Sequence, residues 1–291
     1  MWWSIPYGDT KEPFFWGTRT AAVNFCEEDY IITHYVAEFF NTLTSLAYIA
    51  YGIHGIRRYK RQDLSIFAGA NLSYWALIGV GIFSGLYHLT LKYHTQMSDE
   101  LSMHLAIGTV LQQVFTFKEP PKVQVRNTAI ILGVLVPFVI YHCVADEFML
   151  HVILFFCMSL IVARRVKKLI REQINDADHR AKLRSLVTLA TFMAMFAYFL
   201  WNIDVHCCGT LTRWKRQLGM PLGILLEFHG YWHILTSISA YTFMAIIEFL
   251  ISEGDANRAN GFAWPAKDVL KMLPTKNADE TPMNGGAKGG N

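Results

Sequence analysis

Apolar residues run in seven long blocks along the chain, at about 35–56, 65–88, 98–117, 127–144, 147–163, 184–204 and 219–251, separated by short polar stretches. A helix needs about 20 apolar residues to cross a hydrocarbon core, so each block predicts a membrane-spanning helix; the fourth and fifth are the shortest. Before the first block lies a polar, acidic arm, 1–34. It does not resemble a cleavable signal peptide, so the first block is read as a retained span. After the last block the pattern is lost, and 253–291, ending in NGGAKGGN, is expected to be a disordered extension. Its stretch FAWPAKDVLKML suits a membrane surface. The expected fold is an all-α, seven-helix membrane bundle over 35–252, flanked by the arm and the tail.

The polar stretches between blocks set an orientation. Arg57, Arg58, Lys60 and Arg61 follow the first block, Lys118, Lys122 and Arg126 the third, and Arg164, Arg165, Lys167, Lys168, Arg171, Arg180, Lys182 and Arg184 the fifth. The other side carries Lys11, Arg19, Lys92, Arg213, Lys215 and Arg216. Lys and Arg in short loops concentrate on the cytosolic side, which places the N-terminus in the lumen or outside and the C-terminus in the cytosol. That arrangement requires an odd number of spans.

Composition agrees with a membrane domain. The chain is 53% hydrophobic and 17% charged with a mean hydropathy of +0.24. A net charge of +3, with its basic residues confined to short loops, gives no surface for nucleic acid.

Ionisable residues at membrane depth are costly and therefore informative. His229 and His233, in EFHGYWH, are four apart and share a helical face, as two ligands of one metal would. In SGLYHLTLKYHTQMSDE, Ser84 and His88 are likewise four apart. A helix expected to begin near Met97 or Ser98 then brings Asp99 back in its first turn. All five fall in the lumenal half of the bundle. Three neutral imidazoles leave a tetrahedral zinc with an open position, and a nearby carboxylate handles the proton of an activated water, so hydrolysis is the expected chemistry. His104, about one turn deeper than Asp99, is a candidate to support this site. His54, His142, His151 and His206 lie at expected span ends, where interfacial placement accounts for them. Asn202 and Asp204, ending the sixth block, either orient a ligand or cap the helix toward water, the second being favoured. Five cysteines do not make a disulfide scaffold. Cys26, Cys207 and Cys208 lie on the expected lumenal side, where a disulfide persists.

These segments, together with FLWNIDVHCCGTL and the opening NFCEEDYIITHYVAEFFNT, resemble the motifs of the alkaline ceramidases, in the same order and over about Trp16 to Ser252. The resemblance implies a seven-helix intramembrane zinc amidase, acting on ceramide lipids in the endoplasmic reticulum or Golgi membrane and releasing a sphingoid base and a fatty acid. It places the zinc ligands on His88, His229 and His233, the catalytic aspartate on Asp99, and a serine near the zinc on Ser84. It further implies a calcium site at Asn24, Phe25 (through its carbonyl), Glu27, Asp29 and Glu38, with Asn24 standing where Asp is common. It also implies a disulfide between Cys26 and Cys208, for which Cys207 is the competing partner. A receptor of the progestin and adiponectin type shares the Ser, His, Asp and paired-His arrangement and is the alternative function. Such receptors place the N-terminus in the cytosol, opposite to the orientation expected here.

Overall fold

The computed structural model describes residues 5–10, 12–60, 71–145, 147–251 and 261–271. Over these the chain is helical, in the order α1 (Phe39–Lys60), α2 (Leu72–Thr90), α3 (Tyr93–Thr116), α4 (Pro121–Ala145), α5 (Phe148–Gln173), α6 (Ala177–His206), α7 (Cys208–Leu218), α8 (Phe228–Ile251) and α9 (Ala266–Lys271), with a 3-10 turn at Leu222–Leu226. Five helices, α2, α4, α5, α6 and α8, are long and apolar enough to cross a membrane. Helices α1 and α3 occupy expected spans and have comparable length, but carry more polar residues. Asn41, Ser45, Gln96, Glu100, Ser102 and His104 on them are buried, so this polarity faces the bundle interior. On α4, Ile130, Leu132, Val134, Val136, Ile140 and Val144 are exposed, an outward apolar surface suited to lipid.

Helix α1 packs on α2 and α8, α2 on α3, and α6 on α8, while α3 also meets α4 and α5. The α1/α2 contact depends on small residues, as is usual where no water drives helices together. A Cβ added to Gly81 would lie 2.9 Å from the Ser45 carbonyl oxygen, and one on Gly52 would lie 2.8 Å from that of Tyr74. Three residues beyond Gly81 stands Ser84, so this close approach sets the distance from α2 to the polar side of α1. The core away from the site is aliphatic: Val166, Ile170, Leu183, Leu186, Val187, Ala190, Ala245 and Ile246 are fully buried.

Several boundaries differ from those expected. Helix α3 begins at Tyr93, with Lys92 at the cap and no acid in its first turn. Leu91, in the left-handed region at φ 49°, turns the chain sharply after α2, so the polar run Tyr93–Gln96 is already helical and Asp99 sits in the second turn. The expected seventh span begins later, at Phe228, after Gly219 at φ 68° and the 3-10 turn Leu222–Leu226. The stretch after Cys207, expected as a loop, forms α7. Helices α5 and α6 continue through basic and polar residues beyond their apolar blocks.

Most of the expected disordered tail lies outside the described residues, but 261–271 is packed rather than loose. Phe262 and Ala266 are buried, the Tyr241 hydroxyl accepts from the Ala263 N–H at 2.9 Å, and the Arg58 guanidinium lies 3.9 Å over the Phe262 ring. Arg58 is in turn paired with Glu248, whose carboxylate also accepts from the Tyr74 hydroxyl at 2.8 Å. An aromatic ring with a cation above it holds this segment to α1 and α8.

Candidate metal centre and adjoining cavity

His88 near the end of α2 and His229 and His233 at the start of α8 converge. Their ring centroids are 4.6–5.0 Å apart, and one nitrogen from each lies within 4.8 Å of the others. All three are buried. The Glu38 carboxylate, which can only accept when ionised, takes the His88 Nδ1 proton at 2.5 Å and leaves Nε2 buried without a partner. The Thr44 hydroxyl donates to the Phe40 carbonyl at 2.8 Å and so accepts from His233 Nδ1 at 2.9 Å. His233 therefore also presents Nε2. His229 has Nδ1 buried without a partner, and its ring stacks on Phe25 with centroids 3.5 Å apart. Three buried imidazoles, two of them oriented from behind by an acceptor and with His88 Nε2 and His229 Nδ1 without partners, fit a metal ion of the zinc class.

Ser84 and Asp99 complete the group. Ser84 Oγ lies 3.0 Å from Ser45 Oγ and 3.4 Å from His233 Nε2. Asp99, Ser84, His229 and His233 line a cavity of about 250 Å³ whose other walls are mainly apolar, including Met103, Ile107, Val110 and Phe155. The five residues drawn from EFHGYWH and SGLYHLTLKYHTQMSDE thus meet at one place.

The expected calcium residues gather beside them. Asn24 Nδ2 contacts both Asp29 oxygens at 3.3 and 3.5 Å, and Asn24 Oδ1 is buried without a partner. The Phe25 N–H donates to Glu38 Oε1 at 3.3 Å. Glu27 spends its carboxylate on the start of α1, accepting from the Phe40 and Asn41 N–H groups at 2.7 and 2.8 Å. That caps two of the orphan donors of the helix and sets a carboxyl group at its positive end. Burial, and then the carboxylates of Glu38 and Glu227, push the Glu27 carboxyl well above the usual range, against the pull of these N–H groups. Burial raises Asp29 too, opposed by Asn24 and Arg19. Several buried carboxylates and an unpartnered amide oxygen suit a hard cation.

Cys26 and Cys208 lie at disulfide distance with Cα atoms 5.1 Å apart, while Cys207 is exposed and free. The arm is fastened there by more than sulfur. Buried Lys215 of α7 donates to the Cys26 carbonyl at 2.7 Å and pairs with Glu227 at 2.9 Å, and Arg216 pairs with Glu28.

Four residues fall differently from expectation. Asp204 does not face water. It is fully buried and accepts from the Cys26 N–H at 2.9 Å and the His229 N–H at 3.2 Å, joining the arm to the backbone of a candidate ligand. His142 and His151 are buried rather than interfacial. His104 joins them, its ring 4.9 Å from that of His151, instead of supporting His88. Thr44 and Ser45 were not expected at the site at all. The signal was present in the spacing of Asn41, Thr44, Ser45 and Tyr48, a polar stripe at helical period on an otherwise apolar span.

Fold and site together define a helical membrane protein with a metal-competent three-histidine centre beside a carboxylate and a hydroxyl, at a largely apolar cavity. A model of the ceramidase family matches residues 17–276, and the chain belongs to that family. It is 30% identical over 262 residues to alkaline ceramidase YPC1 of Saccharomyces cerevisiae, covering 85% of this chain and 81% of that one. Alkaline ceramidase 3 of Mus musculus is 28% identical over 228 residues, 78% of this chain and 82% of that one. An alkaline ceramidase of Arabidopsis thaliana is 26% identical over 272 residues, 89% and 93% of the two chains.

Proposed function

We propose that the protein is a zinc-dependent hydrolase of the N-acyl amide bond of ceramides (ceramide, dihydroceramide or phytoceramide), releasing a sphingoid base and a free fatty acid. The observation that carries this is the convergence of His88, His229 and His233 with Asp99 and Ser84 at an apolar cavity. It agrees with the named activity of the relatives. The receptor alternative has no such support.

His88, His229 and His233 hold the ion, which when bound supplies Lewis acidity toward the amide carbonyl and water. Asp99 accepts the proton that water loses on attack at the carbonyl carbon and delivers it to the amide nitrogen as the C–N bond breaks. The Ser84 hydroxyl donates to the oxygen on which negative charge develops. The two chains of the substrate lie against the apolar walls. Asn24, the Phe25 carbonyl, Glu27, Asp29 and Glu38 hold a calcium ion that ties the arm to α1. Seven spans, with the arm lumenal and the C-terminus cytosolic in an endoplasmic reticulum or Golgi membrane, accommodate both sites.

The test is incubation of the purified protein with a ceramide labelled in its acyl chain. Labelled fatty acid and free base should appear in equal amounts, and Asp99→Asn should remove most of both. No release from the unmodified protein, under conditions where it remains folded, would overturn the proposal.

A further inference from the structure

The cavity has a second polar corner. Glu100, next to Asp99 on α3, and His151 on α5 both line it. The Glu100 carboxylate is fully engaged: Gln96 Nε2 donates to Oε1 at 2.9 Å and His142 Nε2 to Oε2 at 2.5 Å. His142 stacks on His151 with centroids 5.5 Å apart and rings 22° from parallel, and Phe148 flanks His151 at the same separation. His104 closes a further side, bonded through Nδ1 to the Glu100 carbonyl at 3.0 Å. The His151 ring is thus fixed by packing, and the residue is buried with a relative exposure of 6%. Yet Nδ1 has no partner, and the side chain makes no hydrogen bond among the described residues. A polar ring nitrogen buried without a partner is costly, so it calls for a ligand.

A metal ion is the less favoured ligand. Glu100, His142 and His151 could converge on one, but the Glu100–His142 contact has hydrogen-bond length. Two ligands each about 2 Å from one ion stand farther apart than that. Each carboxylate oxygen already has a donor, and of the histidines at this corner His151 is the one that lines the cavity.

Resting on the function proposed above, we infer that His151 hydrogen-bonds a hydroxyl of the sphingoid base and thereby sets which head groups the enzyme prefers. A ceramide has only two kinds of polar group, the amide and the base hydroxyls on carbons close to it. The cavity has two polar corners, carried by the consecutive residues Asp99 and Glu100. With the amide at Asp99, a hydroxyl falls to His151.

The experiment measures kcat/KM for dihydroceramide, its 1-deoxy and 3-deoxy analogues and its 4-hydroxy form, on the parent, His151→Phe and His151→Gln, together with bound metal. The parent should favour the substrates bearing one particular hydroxyl. His151→Phe should lose about tenfold on those and little on the analogue lacking that hydroxyl. His151→Gln, which keeps a polar amide there, should restore part of the preference, and zinc content should stay at the parent level in both variants. An equal loss on every substrate, no loss on any, or disappearance of a second equivalent of metal would overturn the inference. Absence of turnover by the parent would instead strike at the proposed function itself.

Discussion

Glu38 Oε2 lies 2.5 Å from His88 Nδ1, deep in the bundle where both side chains are fully buried. A residue just before α1 thereby fixes the tautomer and orientation of a candidate ligand on α2. Its other contacts, the Phe25 N–H and Asn41 Nδ2, come from the arm and from α1. Removing such a carboxylate behind a metal-binding histidine typically weakens affinity about 10- to 100-fold. Glu38→Ala should do so here, read by competition with a zinc chelator. Asn41→Ala, which removes one donor to that carboxylate, should have a smaller effect in the same direction.

Glu27 joins the arm to the start of α1 through two N–H groups. Loss of a helix cap costs about 1 kcal/mol, and loss of a cation ligand adds to it. Glu27→Ala should lower thermal stability and remove the stabilisation that added calcium gives the parent. Equal calcium-induced shifts in both proteins would leave Glu27 as a cap alone.

The Cys26–Cys208 link closes a loop of 182 residues and holds the arm over His229. Disulfides stabilise by about 2–4 kcal/mol. Cys208→Ser should lower the thermal midpoint and change mobility on a non-reducing gel, whereas Cys207→Ser should do neither. The buried Lys215–Glu227 pair beside the link predicts a larger penalty for Lys215→Met than for Glu28→Gln at the exposed Arg216 pair, since a carboxylate left buried without its cation is costly.

Phe262 is buried under Arg58 and against α8. Truncating a buried Phe to Ala typically costs about 3–5 kcal/mol. Phe262→Ala should therefore destabilise the protein by a few kcal/mol in a denaturation series, where a loose tail would give no change.

The candidate ligands were legible because imidazoles and a carboxylate are conspicuous among apolar residues, and because pairs four apart on one helix face announce a shared target. What joined His88 to His229 and His233 was their shared lumenal depth, with the family resemblance then naming them together, since no local pattern states that α2 and α8 meet. Helix boundaries failed where a helix outlasts its apolar run, as α5 and α6 do, or starts inside a polar one, as α3 does at Tyr93. Asp204, His142 and His151 were misplaced for a common reason. Nearness to a span end suggests water, but here the arm and α7 cover Asp204, and α3, α4 and α5 pack the two histidines together. The packing of Phe262 was illegible because it depends on Arg58, some two hundred positions earlier.

Metal content and ceramide turnover, measured on the same purified preparations of the parent, His229→Ala and Asp99→Asn, bear most directly on the three-histidine centre. His229→Ala should lose both zinc and hydrolysis, whereas Asp99→Asn should keep zinc and lose most of its turnover. Full zinc and full hydrolysis in His229→Ala would contradict the assignment.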